Sequence, residues 1–270
     1  MNDNGAPKKD SQLNISNYEK MLAQPPQAFE WLRFDSNNDC NVHCVYCHNS
    51  RSKALISPEE LTVFLDRNVE KVENFQVGCT MEPTLDPRLT DFLLLIGTSK
   101  GRPSKVFKLQ TNGILLHRHD LSKMRDAGLN LVSVSIDSAD PEIHKALRGG
   151  TSMAKVHGNI LALRQTLPEV KIQFITTVNK LNVHVMRELV SFGLELGVSR
   201  FVFREMFYFP NSKIVDHSRM PSLVLEEGEY ETMRRDLLAV FRGRAELSFA
   251  DAATLERSRI RIRADSLKNF

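Results

Sequence analysis

From Trp31 onward, short apolar or alternating runs are interleaved with longer stretches in which apolar residues recur every three or four positions. Runs of the first kind, at 31–35, 75–78, 105–110, 131–136, 171–177 and 201–204, predict strands. Stretches of the second kind, at 58–67, 87–98, 120–127, 154–165, 183–196 and 229–241, predict helices. The punctuation agrees: Ser57 before Pro58 suits a helix cap, and Gly128 and Gly197 suit helix stops.

Strands alternating with helices imply a parallel sheet joined by right-handed crossovers. The expected fold class is α/β, a partial (β/α)6 TIM-like barrel with a short C-terminal extension, although a flat doubly wound sheet shares this periodicity. In a barrel of this kind, chemistry gathers at the C-terminal ends of the strands. Three segments follow: a polar tail over 1–27, a barrel over 28–210, and a helical or irregular extension over 211–270.

Composition adds little to this picture. The 270 residues are 41% hydrophobic with a formal charge of +3, so neither nucleic acid nor a membrane surface is an expected partner. The longest apolar run, around 92–96, is far shorter than a bilayer span. The opening residues lack a secretory pattern, which makes the cytoplasm the expected compartment.

The cysteines change the picture. There are four, and Cys40, Cys44 and Cys47 fall within eight residues, a crowding that suits metal or redox chemistry better than disulfide stapling. The segment reads Asp-Cys-Asn-Val-His-Cys-Val-Tyr-Cys-His-Asn from Asp39 to Asn49, directly after the first predicted strand. Three thiolates are one short of a closed zinc site or an ordinary cubane, and so leave one iron of a [4Fe–4S] cluster open. A zinc site completed by His43 or His48 is the competing reading.

This Cys-x3-Cys-x2-Cys spacing, with the aromatic Tyr46 before the last cysteine, resembles the signature loop of the radical S-adenosylmethionine superfamily. The resemblance implies two cofactors, a [4Fe–4S] cluster on Cys40, Cys44 and Cys47 and S-adenosylmethionine on the open iron, with Tyr46 beside them. It implies reductive cleavage to methionine and a 5′-deoxyadenosyl radical, with the protein positioning that chemistry. It also implies oxygen sensitivity and an external electron donor such as flavodoxin or ferredoxin.

Further segments resemble the family in the same order along the chain. Gly78-Cys79-Thr80-Met81-Glu82-Pro83 is similar to its Gly-Gly-Glu-Pro stretch, with Thr80-Met81 replacing the glycine pair, and implies that Glu82 contacts the methionine ammonium. Thr111-Asn112-Gly113, at the end of the third strand, implies cofactor contacts by Thr111 and Asn112, though Asn-Gly is also an ordinary turn. Ser133 to Ser138, with Arg148 downstream, is similar to the branch containing molybdenum-cofactor biosynthesis and peptide-modifying enzymes. There Ser135 would face the cofactor, and Arg148 would pair with its carboxylate.

Cys79, three residues before Glu82, is a candidate hydrogen-atom donor to a substrate radical, or else a small packing residue. Arg204 and Glu205 end the sixth strand as possible mouth residues or a structural pair. No cysteine follows Cys79, so one cluster is expected and the molybdenum-cofactor assignment is disfavoured. The leading expectation is hydrogen abstraction from a small molecule, sugar or peptide, leading to epimerisation, dehydrogenation, rearrangement or cross-linking. An activase for a glycyl-radical partner is a second enzyme reading. An iron–sulfur electron carrier or metal-stabilised binding protein is the alternative from another class.

Overall fold

The computed structural model describes residues 29–99 and 105–251; the expected tail over 1–27 lies outside them. The described strands are, in chain order, β1 (Phe29–Phe34), β2 (His43–Cys44), β3 (Val72–Val77), β4 (Val106–Thr111), β5 (Leu131–Ser135), β6 (Arg148–Gly149), β7 (Lys171–Val178), β8 (Arg200–Glu205) and β9 (Glu246–Ala250). Seven of them form one sheet in the order β1-β3-β4-β5-β7-β8-β9, with every neighbouring pair parallel. The sheet curls into a half-barrel, the expected fold class.

Strand alternation sets the two faces of this sheet. In β3, Phe75 and Val77 are fully buried on the convex side, whereas Asn74 and Gln76 point the other way. In β4, Phe107 and Leu109 pack convexly while Lys108 and Gln110 face the hollow. A row of rings, Phe174, Phe201, Phe203 and Phe249, continues the convex layer across β7, β8 and β9, with centroids 5.4–6.5 Å apart.

Helices cover that convex layer: α1 (Pro58–Asn68), α2 (Leu89–Thr98), α3 (Leu121–Asp126), α5 (Met153–Thr166), α6 (Met186–Glu195) and α7 (Glu229–Val240), whereas α4 (Pro141–Leu147) packs Leu147 into a separate cluster with Met206, Met220 and Leu223. Ser57 caps α1 in a full capping box with Glu60. Phe92, Leu93 and Ile96 of α2 are at most 1% exposed, each such burial stabilising the fold by about 1.5–3 kcal/mol.

Two features go beyond the expected six strands. β9 adds a seventh strand from the C-terminal segment, tied in by the Tyr230 hydroxyl, which donates to the Phe203 carbonyl at 2.8 Å and accepts from the Ala250 amide at 3.1 Å. β2 and β6 form a small antiparallel ribbon that pairs Cys44 with Arg148 and His43 with Gly149. No described helix is long and apolar enough to cross a membrane.

Candidate functional site

The three clustered cysteines occupy the loop after β1, at the C-terminal edge of the sheet, each half-buried and none in a disulfide. The loop is held by its backbone. Arg51 donates from Nη1 to the Cys40 carbonyl at 2.7 Å and from Nη2 to the Val42 carbonyl. The Cys47 amide donates to the Cys44 carbonyl at 3.0 Å, and Asp39 accepts from the Cys40 amide and from Lys53.

This donor set fits the implied cluster. With only three thiolates, a cubane would take one on each of three irons, and its fourth iron would stay open. His43 is exposed, and His48 lies against Phe209 with ring centroids 4.2 Å apart. Burial pushes the Cys44 thiol up to about 11, against the opposing pull of Arg148, and burial likewise raises Cys40. Ligation would have to displace these protons.

The Glu82 segment packs onto the cysteine loop: the Glu82 amide donates to the Asp39 carbonyl at 3.0 Å, and Asn37 donates to the Glu82 carbonyl at 3.0 Å. The Glu82 carboxylate is 2% exposed. Its Oε1 accepts from the Thr84 amide, the Thr84 hydroxyl and the Thr111 hydroxyl at 3.1, 2.5 and 2.6 Å. Its Oε2 accepts from the Asn112 amide at 2.6 Å, which leaves capacity for one further donor. Burial raises the carboxyl, while these hydrogen bonds oppose that shift.

Thr111 and Asn112 therefore lie beside Glu82, and the Asn112 side-chain Nδ2 donates to Asn41 Oδ1 at 2.7 Å. Gly78 starts the turn with a positive φ of 80°, and a Cβ there would sit 2.1 Å from the Gln110 carbonyl oxygen; glycine alone allows both the turn and the close approach of β4. Thr80-Met81, in place of the glycine pair, is accommodated by Asp35, which accepts from the amides of Cys79, Thr80 and Met81 and from the Thr80 hydroxyl.

Ser135 ends β5 on the concave side, half-buried. Arg148 is turned toward the protein: its Nε and Nη2 donate to Asp137 at 2.8 and 3.2 Å, and its Nη1 stands 3.9 Å from Cys44 Sγ. Tyr46 donates its hydroxyl to the same Asp137 carboxylate, which is fully buried and also accepts from the Thr177 amide at 3.0 Å.

Behind them His144 is fully buried, its Nδ1 accepting from the Asp137 amide at 3.2 Å. Burial first, then Arg148, pushes His144 down to about 4, so the neutral ring carries its proton on Nε2 and donates to Thr151 Oγ1 at 3.1 Å.

The structure thus brings Cys40, Cys44, Cys47, Tyr46, Glu82, Thr111, Asn112 and Arg148 into two linked networks, with Ser135 at the end of β5 and Cys79 just after β3. Sequence reasoning gave no role to Asp35, Arg51 or His144. Their partners lie 7 to 46 residues away, and no local spacing marks such pairs.

A family model described as the radical SAM superfamily matches residues 36–193. A probable GTP 3′,8-cyclase of Methanococcus aeolicus is 30% identical over 171 residues, covering 62% of this chain and 56% of that protein. One from Methanococcus maripaludis is 30% identical over 205 residues, covering 73% and 64%. The chain therefore spans little more than half the length of the curated relatives it matches.

Among solved structures, Streptococcus suis SuiB bound to S-adenosylmethionine aligns with a TM-score of 0.68 at 14% identity, covering 93% of this chain and 57% of SuiB. The structure of anSMEcpe with bound AdoMet and a peptide aligns at 0.62 and 19%, covering 81% and 62%. Both share the fold.

Proposed function

Because the chain belongs to the radical SAM superfamily, we propose that Cys40, Cys44 and Cys47 each ligate one iron of a [4Fe–4S] cluster in an enzyme that abstracts hydrogen from an organic substrate in the hollow of the sheet. The cofactors are those of the family, the cluster and S-adenosylmethionine; bound together, they supply reductive cleavage of the sulfonium to methionine and a 5′-deoxyadenosyl radical. The observation that carries this reading is the direct hydrogen bonding of the three-thiol loop to the Glu82 segment, at the C-terminal edge of a half-barrel.

The chain's own residues hold and shield. Arg51 fixes the cysteine loop, and Asp137 with Arg148 and Tyr46 forms the buried wall beside Cys44. Glu82 offers its remaining acceptor site to an ammonium, and Ser135 offers a hydroxyl from the end of β5, two strands along the sheet from β3. Cys79 faces the hollow, and burial pushes its thiol up, ahead of the contribution from Asp35. At neutral pH it carries the S–H that hydrogen-atom return to a substrate radical requires. The sulfur radical so formed would take one electron from the external donor, a flavodoxin or ferredoxin, and one proton from solvent, restoring the S–H.

The relatives named as probable GTP 3′,8-cyclases make a purine nucleotide one substrate to test. The reaction class itself is tested by anaerobic reconstitution followed by assay of 5′-deoxyadenosine with S-adenosylmethionine and reductant. Formation that is lost in the Cys40→Ala/Cys44→Ala/Cys47→Ala variant supports the reading. Equal formation by that variant overturns it.

A further inference from the structure

The hollow of the sheet carries a charge pattern that the cofactor chemistry does not use. Arg33, Gln76 and Lys108 stand in one row across β1, β3 and β4, Arg33 opposite Gln76 and Gln76 opposite Lys108. Adjacent strands are about 4.8 Å apart, which sets Arg33 and Lys108 backbones about 10 Å apart. From the far side, β8 contributes Arg204, opposite Thr177. The curl of the sheet brings it near enough that Arg204 and Arg33 both act on Lys108 and on Cys79.

Lys108 is 7% exposed, and among the described residues its ammonium makes no hydrogen bond or ion pair. Among the described residues, Arg33 lies over the Trp31 ring at 5.3 Å, and neither Arg33 nor Arg204 has a carboxylate partner. Asp35, the acid beside Cys79, is occupied by the amides of residues 79–81 and the Thr80 hydroxyl. Arg200, lower in the hollow, is paired with Glu246 at 2.8 Å. The intervening floor is neutral: Gln76 bonds Gln110 at 3.3 Å, and Gln173 bonds Ser133 at 2.9 Å.

A nine-tenths-buried lysine without a counter-ion, flanked by two arginines, is costly in the empty protein. Burial, then Arg204 and Arg33, holds Lys108 down to about 7. Such a cost persists where function uses it.

We propose that Arg33, Lys108 and Arg204 form a binding site for the phosphate group of a small-molecule substrate, placing the rest of that molecule in front of Cys79. Two guanidinium cations and a Lys108 amine that a bound anion would hold protonated match a group bearing two or more negative charges, and the two guanidinium forks match phosphoryl oxygens. A single carboxylate would leave most of the charge unmatched. The neutral amides beside the cluster of cations add hydrogen-bond donors without repelling an anion. The assignment rests on the proposed reaction only in calling the ligand a substrate.

The test measures inorganic pyrophosphate binding to the reconstituted full chain by calorimetry, with citrate as a carboxylate of comparable charge. Pyrophosphate should bind in preference to citrate. Lys108→Met and Arg204→Met should each weaken pyrophosphate binding about tenfold or more, while Lys213→Met, on the exposed surface, leaves it unchanged. Cofactor binding, read separately in the same variants, should persist, so failure of the anion site and failure of the proposed reaction are distinguishable. No pyrophosphate binding at millimolar concentration, equal binding by both Lys108→Met and Arg204→Met, or citrate bound as tightly as pyrophosphate would each overturn the proposal.

Discussion

Arg148 and Cys44 face each other across the β2–β6 ribbon: the guanidinium Nη1 lies 3.9 Å from the thiol sulfur, while its other donors are fixed on Asp137. The geometry makes Arg148 a support for the cysteine loop. A donor aimed at a ligand sulfur raises a cluster's potential.

Arg148→Met should therefore leave Asp137 buried and unpaired, costing about 3–5 kcal/mol in urea unfolding of the metal-free protein. Asp137→Asn added to it should recover part of that loss. In the reconstituted protein, Arg148→Lys should lower the reduction potential measured by EPR-monitored titration. An unchanged stability together with an unchanged potential would remove both roles.

Glu82 gathers three backbone segments, so its effect should not be confined to cofactor binding. Glu82→Gln places an amide among donors and should cost about 1–3 kcal/mol of stability. The cluster should still assemble, while S-adenosylmethionine affinity by equilibrium dialysis should fall. Wild-type values for both stability and affinity would contradict the network described here.

His144 supplies a pH dependence of known sign. Its folded value of about 4 lies below its ordinary 6.5, so the unfolded chain takes up the proton first. Stability from the neutral ring is intact above pH 6.5 and is lost as pH falls toward 4, by up to about 3 kcal/mol. Urea unfolding at pH 7 and pH 4.5 should show a larger loss in wild type than in His144→Gln. Parallel losses would contradict it.

Cys79 should be slow to form a thiolate despite the nearby cations, because burial and Asp35 oppose ionisation. In the variant with the other three cysteines replaced by alanine, its alkylation rate should still be climbing past pH 9. A plateau near neutral pH would mark a reactive thiolate and argue against the hydrogen-atom donor role.

Much of this was legible in the sequence because it is local. Three cysteines within eight residues need no tertiary information, and alternation in 105–110 separates Phe107 and Leu109 from Lys108 and Gln110. Alternation does not distinguish a solvent face from the hollow of a curled sheet, so the pattern alone gives Lys108 no role. The Asp137–Arg148 pair spans 11 residues through a helix that pattern reading passed over, although Asp140-Pro141 is a good cap. β9 was also readable, with Leu247 and Phe249 alternating against Glu246 and Ser248, but its neighbourhood of charged residues masked it. Arg51 and Asp35 act on distant backbone groups, which no spacing rule encodes.

The central claim is that three thiolates leave one iron open for S-adenosylmethionine. The most direct measurement is the EPR spectrum of the reduced, reconstituted protein before and after S-adenosylmethionine is added. The account predicts a changed signal, absent from the Cys44→Ala variant because no intact cluster assembles there. A fully loaded, reduced cluster whose spectrum is unaltered by saturating S-adenosylmethionine would contradict it.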